Sequence, residues 1–160
     1  MALPQQKIRT FFITFATSQR RQLFRAGELA TLLGDVINDN RSKQRLQVHE
    51  FVIMPDHVHL ILTPAFQVSL EKAVQFIKGG FSFRAKRELH FRDEIWQKSF
   101  NEHRIADALD YARHAQYIRM NPVTAGLSKR PDDYAYSSAS RKDEVDPAPA
   151  QFVRSAAAQA

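Results

Sequence analysis

The sequence predicts an α+β domain of ferredoxin-like type: a βαββαβ antiparallel sheet with an added C-terminal helix. Three observations predict it. Apolar, β-branched runs alternate with stretches of helical period in the order strand, helix, strand, strand, helix, strand, helix. Only Pro55-Asp56 separates the second run from the third, a spacing that suits a tight hairpin. A chain of 160 residues, 44% hydrophobic with twelve Phe, is long enough for one real core.

Each element has its own signal. Ile8 to Thr17 is aromatic and β-branched and reads as the first strand. Arg20 to Asn38 carries Leu23, Phe24, Leu29, Leu32, Leu33, Val36 and Ile37 at helical period after a polar Thr17-Ser18 start. Gln44 to Met54 alternates and reads as the second strand, and His57 to Thr63 pairs back on it as the third. Ser69 to His90 is a helix opened by Ser69 and expected to break near Gly79-Gly80. Ile95 to Ile105, with Trp96 and Phe100, reads as the fourth strand. Ala106 to Asn121 reads as the last helix, stopped by Pro122. Residues 1–140 are thus expected to form the domain. Residues 141–160, rich in Ala with two Pro and alternating charges, are expected to be a mobile tail.

Composition narrows the chemistry. The absence of cysteine removes disulfides, thiolate zinc sites and thiol nucleophiles together. No apolar run approaches the ~20 residues that span a bilayer. Met1 to Lys7 lacks the apolar centre of a signal peptide, and a cytoplasmic location is expected. A net charge of +6 and a pI near 9.8 suit a polyanionic partner, although many proteins carry such charge on a solvated face.

The most informative stretch is Val52-Ile53-Met54-Pro55-Asp56-His57-Val58-His59-Leu60-Ile61-Leu62. Side chains alternate along a strand, so His57 and His59 share a face and stand near enough to hold one ion. Two solvated or core-satisfied histidines would be the ordinary alternative. A histidine-triad hydrolase would need a further His where Ile61 stands, and a metallo-β-lactamase pattern would continue with Asp and His. Neither is present, so any remaining ligand must come from elsewhere. On the last helix Tyr117 and Asn121 are four apart and stack on one face, a spacing able to supply a nucleophile and a ligand together. Read alone, they would equally be a half-buried aromatic and a helix-end residue.

The blocks Phe11-Phe12-Ile13-Thr14-Phe15, Val52 to Leu60, Ile95-Trp96-Gln97-Lys98-Ser99-Phe100, Tyr117 to Leu127 and Tyr134-Ala135-Tyr136-Ser137-Ser138-Ala139 run in order through residues 8 to 140. In that combination the chain resembles the single-tyrosine (Y1) HUH, or IS200-like, transposases, and most of all their REP-associated tyrosine transposase group. Tyr136, where relatives usually carry Trp, departs from the pattern, as does everything after Ser140. The resemblance implies that His57, His59 and Asn121 bind a divalent metal, Mg²⁺ or Mn²⁺, and that Tyr117 attacks a DNA phosphodiester. The implied product is a 5′-phosphotyrosyl enzyme with a free 3′-hydroxyl. Arg113 or Arg119 would be available to favour the phenolate. The implied substrate is single-stranded DNA with a hairpin, most naturally a REP-type palindrome, handled by a monomer or a homodimer.

Lys72, Lys78, Arg84, Lys86, Arg87 and Arg92 face a single acid, Glu88, between residues 72 and 92. Lys78, Arg84, Lys86 and Arg87 are therefore expected to bind DNA phosphates, with salt-dependent affinity and no sequence selectivity. Two other function classes compete. A ferredoxin-like nucleic-acid-binding module would leave His57, His59, Tyr117 and Asn121 without a task. A small metallohydrolase would need the metal but no covalent tyrosine.

Overall fold

The computed structural model describes residues 9–153. Strand β1 (Phe11–Ala16) leads through two 3-10 turns into helix α1 (Gly27–Ser42). Strands β2 (Leu46–Ile53) and β3 (His57–Pro64) form the hairpin, followed by helix α2 (Leu70–Leu89), strand β4 (Asn101–Arg104) and helix α3 (Ala108–Thr124). The sheet runs β2-β3-β1-β4 with every neighbouring pair antiparallel, which is the ferredoxin-like order.

The two faces of the sheet have different tasks. Phe11, Ile13 and Phe15 of β1, Val48, Phe51 and Ile53 of β2, and Val58, Leu60 and Leu62 of β3 point into the main core with α1 and α2. The alternate positions, among them Phe12, Val52 and Ile61, face α3, where Ala115 and Ile118 close a smaller apolar cluster. A β-bulge between Val48 and Glu50 interrupts the alternation of β2. It leaves Val48 in the main core while both His49 and Glu50 face α3: the His49 ring lies 6.4 Å from that of Tyr111, and Glu50 accepts a hydrogen bond from Arg119.

Several elements differ from the sequence expectation, each for a local reason. Helix α1 starts at Gly27 and not near Arg20, because Gln19 and Arg20 adopt φ of 57° and 53°, outside any helix. Helix α2 runs unbroken through Gly79-Gly80, with Gly80 facing Val36 of α1, where a Cβ would meet it at an ordinary contact distance of 3.4 Å. The Ser69 cap is as expected, its hydroxyl accepting from the Lys72 N–H at 3.1 Å. The fourth strand shrinks to Asn101–Arg104. The apolar run before it packs as irregular chain, with the Trp96 indole donating to the Lys78 carbonyl at 3.0 Å. Helix α3 passes through Pro122, which forfeits one backbone hydrogen bond near the end. It closes at Gly126 (φ 76°), where Leu127 N–H reaches the Pro122 carbonyl and Gly126 N–H that of Val123.

The expected mobile tail is corrected over its described part, 141–153. Asp146 N–H donates to the Val48 carbonyl at 2.7 Å, its carboxylate accepts from Val48 N–H, and Arg41 pairs with the same side chain. Phe152 is buried and stacks on Tyr111 with ring centroids 5.7 Å apart. One aromatic anchor and a short strand-like pairing suffice to seat a segment whose composition looks unstructured. Residues 154–160 lie outside the described residues, as does Ile8, the first residue of the expected first strand.

Candidate functional site

The α3 face of the sheet gathers most of the expected site. His57 and His59 project from β3 on that face with ring centroids 4.8 Å apart. Tyr117 comes down from α3, its ring 5.3 Å from that of His59 and half exposed to solvent. Phe12 of β1 fills the corner between them, 5.4 Å from His59 and 6.0 Å from Tyr117. Ile118, the next residue of α3, is fully buried against the sheet, which fixes the rotation of the helix and so the aim of Tyr117. Asn121 stands one turn beyond Tyr117 and is half-buried.

Each histidine is oriented by a partner on one nitrogen. His57 Nδ1–H donates to the Asp56 carboxylate at 2.7 Å, and His59 Nδ1 shares a 2.7 Å hydrogen bond with the Thr14 hydroxyl. With Nδ1–H directed at Thr14, His59 presents the Nε2 lone pair, and Nε2 is buried without any hydrogen-bond partner. Burial first, then the charges of His57 and Arg20, push the His59 imidazole down to about 3, so the ring stays neutral at physiological pH. Burial opposes ionisation of Asp56, but its hydrogen bond to His57 and the charges of His57 and Arg20 hold the carboxyl below its usual value. A neutral imidazole with an unspent buried lone pair, beside a second imidazole fixed through a carboxylate, has the donor chemistry of a divalent-metal site. A buried nitrogen left unpaired is otherwise costly.

Tyr134 and Tyr111 stand in less reactive surroundings. Tyr134 donates to the Ile53 carbonyl at 2.6 Å, and burial pushes its phenol up to about 12. Burial, with the nearby Glu50 charge, pushes the Tyr111 phenol up to about 12 as well. Arg119 is not directed at Tyr117. Its guanidinium pairs with Glu50, a buried carboxylate whose other oxygen accepts from Ser138 Oγ at 2.6 Å.

The expected DNA-binding residues lie elsewhere. Helix α2 packs on the opposite face of the sheet from Tyr117. Lys78 is corrected outright as a phosphate contact: it is buried, and its ammonium donates to the Gln97 carbonyl at 2.8 Å. Burial also lowers its pKa. Arg84 is held by Glu88 at 2.6 Å, while Lys86 and Arg87 are exposed.

Three side chains went unmarked in the sequence reading. The His103, Asp110 and His114 ligand atoms lie within 4.8 Å of one another, a His/Asp group able to accept a divalent cation. The Asp110 carboxylate accepts from His103 Nε2 at 2.8 Å and from the Ala106 N–H at 2.8 Å. His114 also reaches the main site through Phe12, their rings 4.7 Å apart. The Asp110/His114 spacing of one helical turn was a readable signal. Thr14, which orients His59 from a neighbouring strand, left none.

Among the described residues no helix is long and apolar enough to cross a membrane. The family model described as "Transposase IS200 like" matches residues 8–121. A Haemophilus influenzae protein provisionally named a REP-associated tyrosine transposase is 34% identical over 134 residues, 72% of this chain and 76% of that protein. The REP-associated tyrosine transposase of Escherichia coli K12 is 29% identical over 130 residues, 81% of this chain and 75% of that one. A solved REP-associated tyrosine transposase bound to a REP hairpin superposes with a TM-score of 0.70 at 24% identity, covering 98% of this chain and 96% of its own, and shares the fold. The chain belongs to the IS200-like transposase family, and its relatives there include the REP-associated tyrosine transposases.

Proposed function

We propose that the protein is a metal-dependent endonuclease and strand transferase for single-stranded DNA, acting at or near REP-type hairpins through a 5′-phosphotyrosine on Tyr117. The observation that carries this reading is the unpartnered buried Nε2 of His59 beside the exposed Tyr117 ring. His57 and His59 would hold the divalent metal through Nε2, with Asn121 as the third protein ligand, and Mg²⁺ or Mn²⁺ suits a set that mixes nitrogen with oxygen. Such an ion supplies Lewis-acid polarisation of the scissile phosphate.

The chain's own groups do the rest. Asp56 and Thr14 engage the two imidazoles at Nδ1, which leaves Nε2 of each ring as the nitrogen to meet a metal. Tyr117 Oη forms a bond to phosphorus as the bond from phosphorus to the 3′ oxygen breaks. The phenol gives up its proton and the departing oxygen takes one up, leaving a free 3′-hydroxyl. The ester keeps the energy of the broken bond, so a second 3′-hydroxyl can reverse the step and join strands. Tyr111 and Tyr134 are poor competitors, since burial raises both phenols and Tyr134 is spent on Ile53.

The test is covalent capture. The protein is incubated with a single-stranded REP-type hairpin oligonucleotide and Mn²⁺ or Mg²⁺. The 3′-labelled fragment should then migrate with protein on a denaturing gel, while the 5′-labelled fragment is released. Tyr117→Phe keeps the ring and should abolish the adduct. An adduct that persists in that variant would refute the assignment of Tyr117. Tight hairpin binding without any adduct would favour a binding module instead.

A further inference from the structure

The segment joining β1 to α1 is the most strained part of the described chain, and it lies against the candidate site. Gln19 and Arg20 are consecutive non-glycine residues in the left-handed region, with φ of 57° and 53°. Backbone of this kind persists only where its surroundings over-determine it, and such residues cluster at functional sites. Here the surroundings are specific. Thr17 N–H donates to the Asp56 carbonyl at 3.0 Å, Thr17 Oγ to the Arg21 carbonyl at 2.7 Å, and Ser18 N–H to the Ile95 carbonyl at 2.8 Å. Phe24 N–H reaches the Pro55 carbonyl at 3.0 Å. The loop is therefore laced to the turn that immediately precedes His57.

The strained backbone delivers one side chain. Arg20 Nε meets Asp56 Oδ2 at 3.1 Å, while Oδ1 of the same carboxylate orients His57. The terminal Nη atoms of Arg20 have no partner among the described residues, and the side chain is 54% exposed. A guanidinium tethered by Nε, with its forked end free, is built to receive an oxyanion. Arg113 and Arg119 differ: Arg119 is committed to Glu50, and Arg113 lies exposed on α3 without such a tether.

We propose that Arg20 is a further catalytic residue, whose Nη atoms bind a non-bridging oxygen of the scissile phosphate beside His57. The inference rests on the function proposed above. As Tyr117 attacks, negative charge grows on the non-bridging oxygens, and a fixed guanidinium offsets it without having to reorganise. The strain at Gln19 and Arg20 then has a purpose, because a relaxed loop would not hold the fork at the Asp56–His57 corner.

The experiment separates contact with the phosphate from mere support of Asp56. The native chain first maps the cleaved linkage on a single-stranded REP-type hairpin oligonucleotide with Mn²⁺. Binding is then measured in the Tyr117→Phe protein, with and without Arg20→Met. The oligonucleotides carry either the natural phosphate or a neutral methylphosphonate at that linkage. Arg20→Met should weaken binding of the phosphate form on the order of tenfold and leave the methylphosphonate form within about twofold, the loss of one charge-assisted contact. Arg20→Lys should give an intermediate loss on the phosphate form alone, and serves in place of the methionine variant should that variant not fold. Equal losses on both oligonucleotides would overturn the inference and leave Arg20 as a positioning residue for Asp56. No cleavage by the native chain would instead remove the proposed function, and this inference with it.

Discussion

Arg119→Met is the substitution that best tests how α3 is fastened to the sheet. Glu50 is 5% exposed and has two donors, Arg119 and Ser138. Half of the Arg119 side chain is in water, so its Coulomb attraction is screened, and the penalty should fall short of the ~3–5 kcal/mol seen when a fully buried pair is broken. What remains is a buried carboxylate oxygen deprived of its charged donor, a loss of about 2 kcal/mol. In a domain of this size that is a fall in Tm of roughly 4–8 °C. Glu50→Gln in the same protein removes the stranded charge and should recover roughly half of the loss, so the coupling in the double-mutant cycle is about 1 kcal/mol plus whatever Glu50→Gln costs alone. Urea unfolding at pH 7 followed by circular dichroism measures all four proteins, and the adduct assay run on folded protein should show unchanged chemistry. Stability within ~0.5 kcal/mol of native would refute the reasoning. So would loss of the adduct from a protein that is still folded, since Arg119 would then be acting on Tyr117 or on DNA.

Other outcomes follow from the same contacts. Lys78→Met strips donors from the Gln97 and Ser99 carbonyls and should lower stability by about 1–3 kcal/mol. The salt slope of hairpin binding should not move, and a slope shallower by about one unit would restore Lys78 as a phosphate contact. Tyr134→Phe should lose about 1 kcal/mol with its bond to Ile53, yet keep the adduct, and a missing adduct would make Tyr134 the nucleophile. Burial lowers the folded pKa of His49 beneath its ordinary 6.5, where Nδ1–H donates to the Pro147 carbonyl and Nε2 accepts from Thr63. The unfolded state then binds the proton more readily. The stabilising contribution is complete above pH 6.5 and is lost as pH falls below it towards the folded value. Chemical unfolding at pH 7.5 and pH 5 should show a smaller acid loss for His49→Gln than for the native chain, and equal losses would contradict the assignment.

The sequence was most readable where period alone decides geometry. His57 and His59 share a face because a strand alternates strictly, and Tyr117 follows from the four-residue turn of a helix. Lys78 shows the opposite case. It stands four residues after Val74 and three before Phe81, inside the buried stripe of α2, so the helical period argued against the charge pattern and the period won. Of the strand expected from Ile95, the first part makes only an isolated bridge, Trp96 opposite Thr17, and continuous pairing starts at Asn101; Trp96 is apolar because it packs among Phe15, Phe24 and Phe81. Contacts between distant segments left no local trace. Thr14 on His59, Arg20 on Asp56 and Phe152 on Tyr111 each depend on which strands and turns become neighbours.

The bulge in β2 has a consequence for how the chain tolerates changes of length. Removing His49 would take out the extra residue of β2, so Leu46, Val48 and Phe51 would keep the main core and Glu50 and Val52 would keep the α3 face. The loss would be confined to the His49 side chain and its bonds to Pro147 and Thr63. A single-residue deletion between Glu50 and Ile53, where pairing is regular, would instead turn over one part of the strand. Insertions and deletions should accumulate in exposed connections such as 65–67 and 125–130, where neither the pleat nor the aim of Tyr117 registers the change. The spacing from Glu50 to His57 should stay fixed, because it measures the distance from the fastening of α3 to the first imidazole.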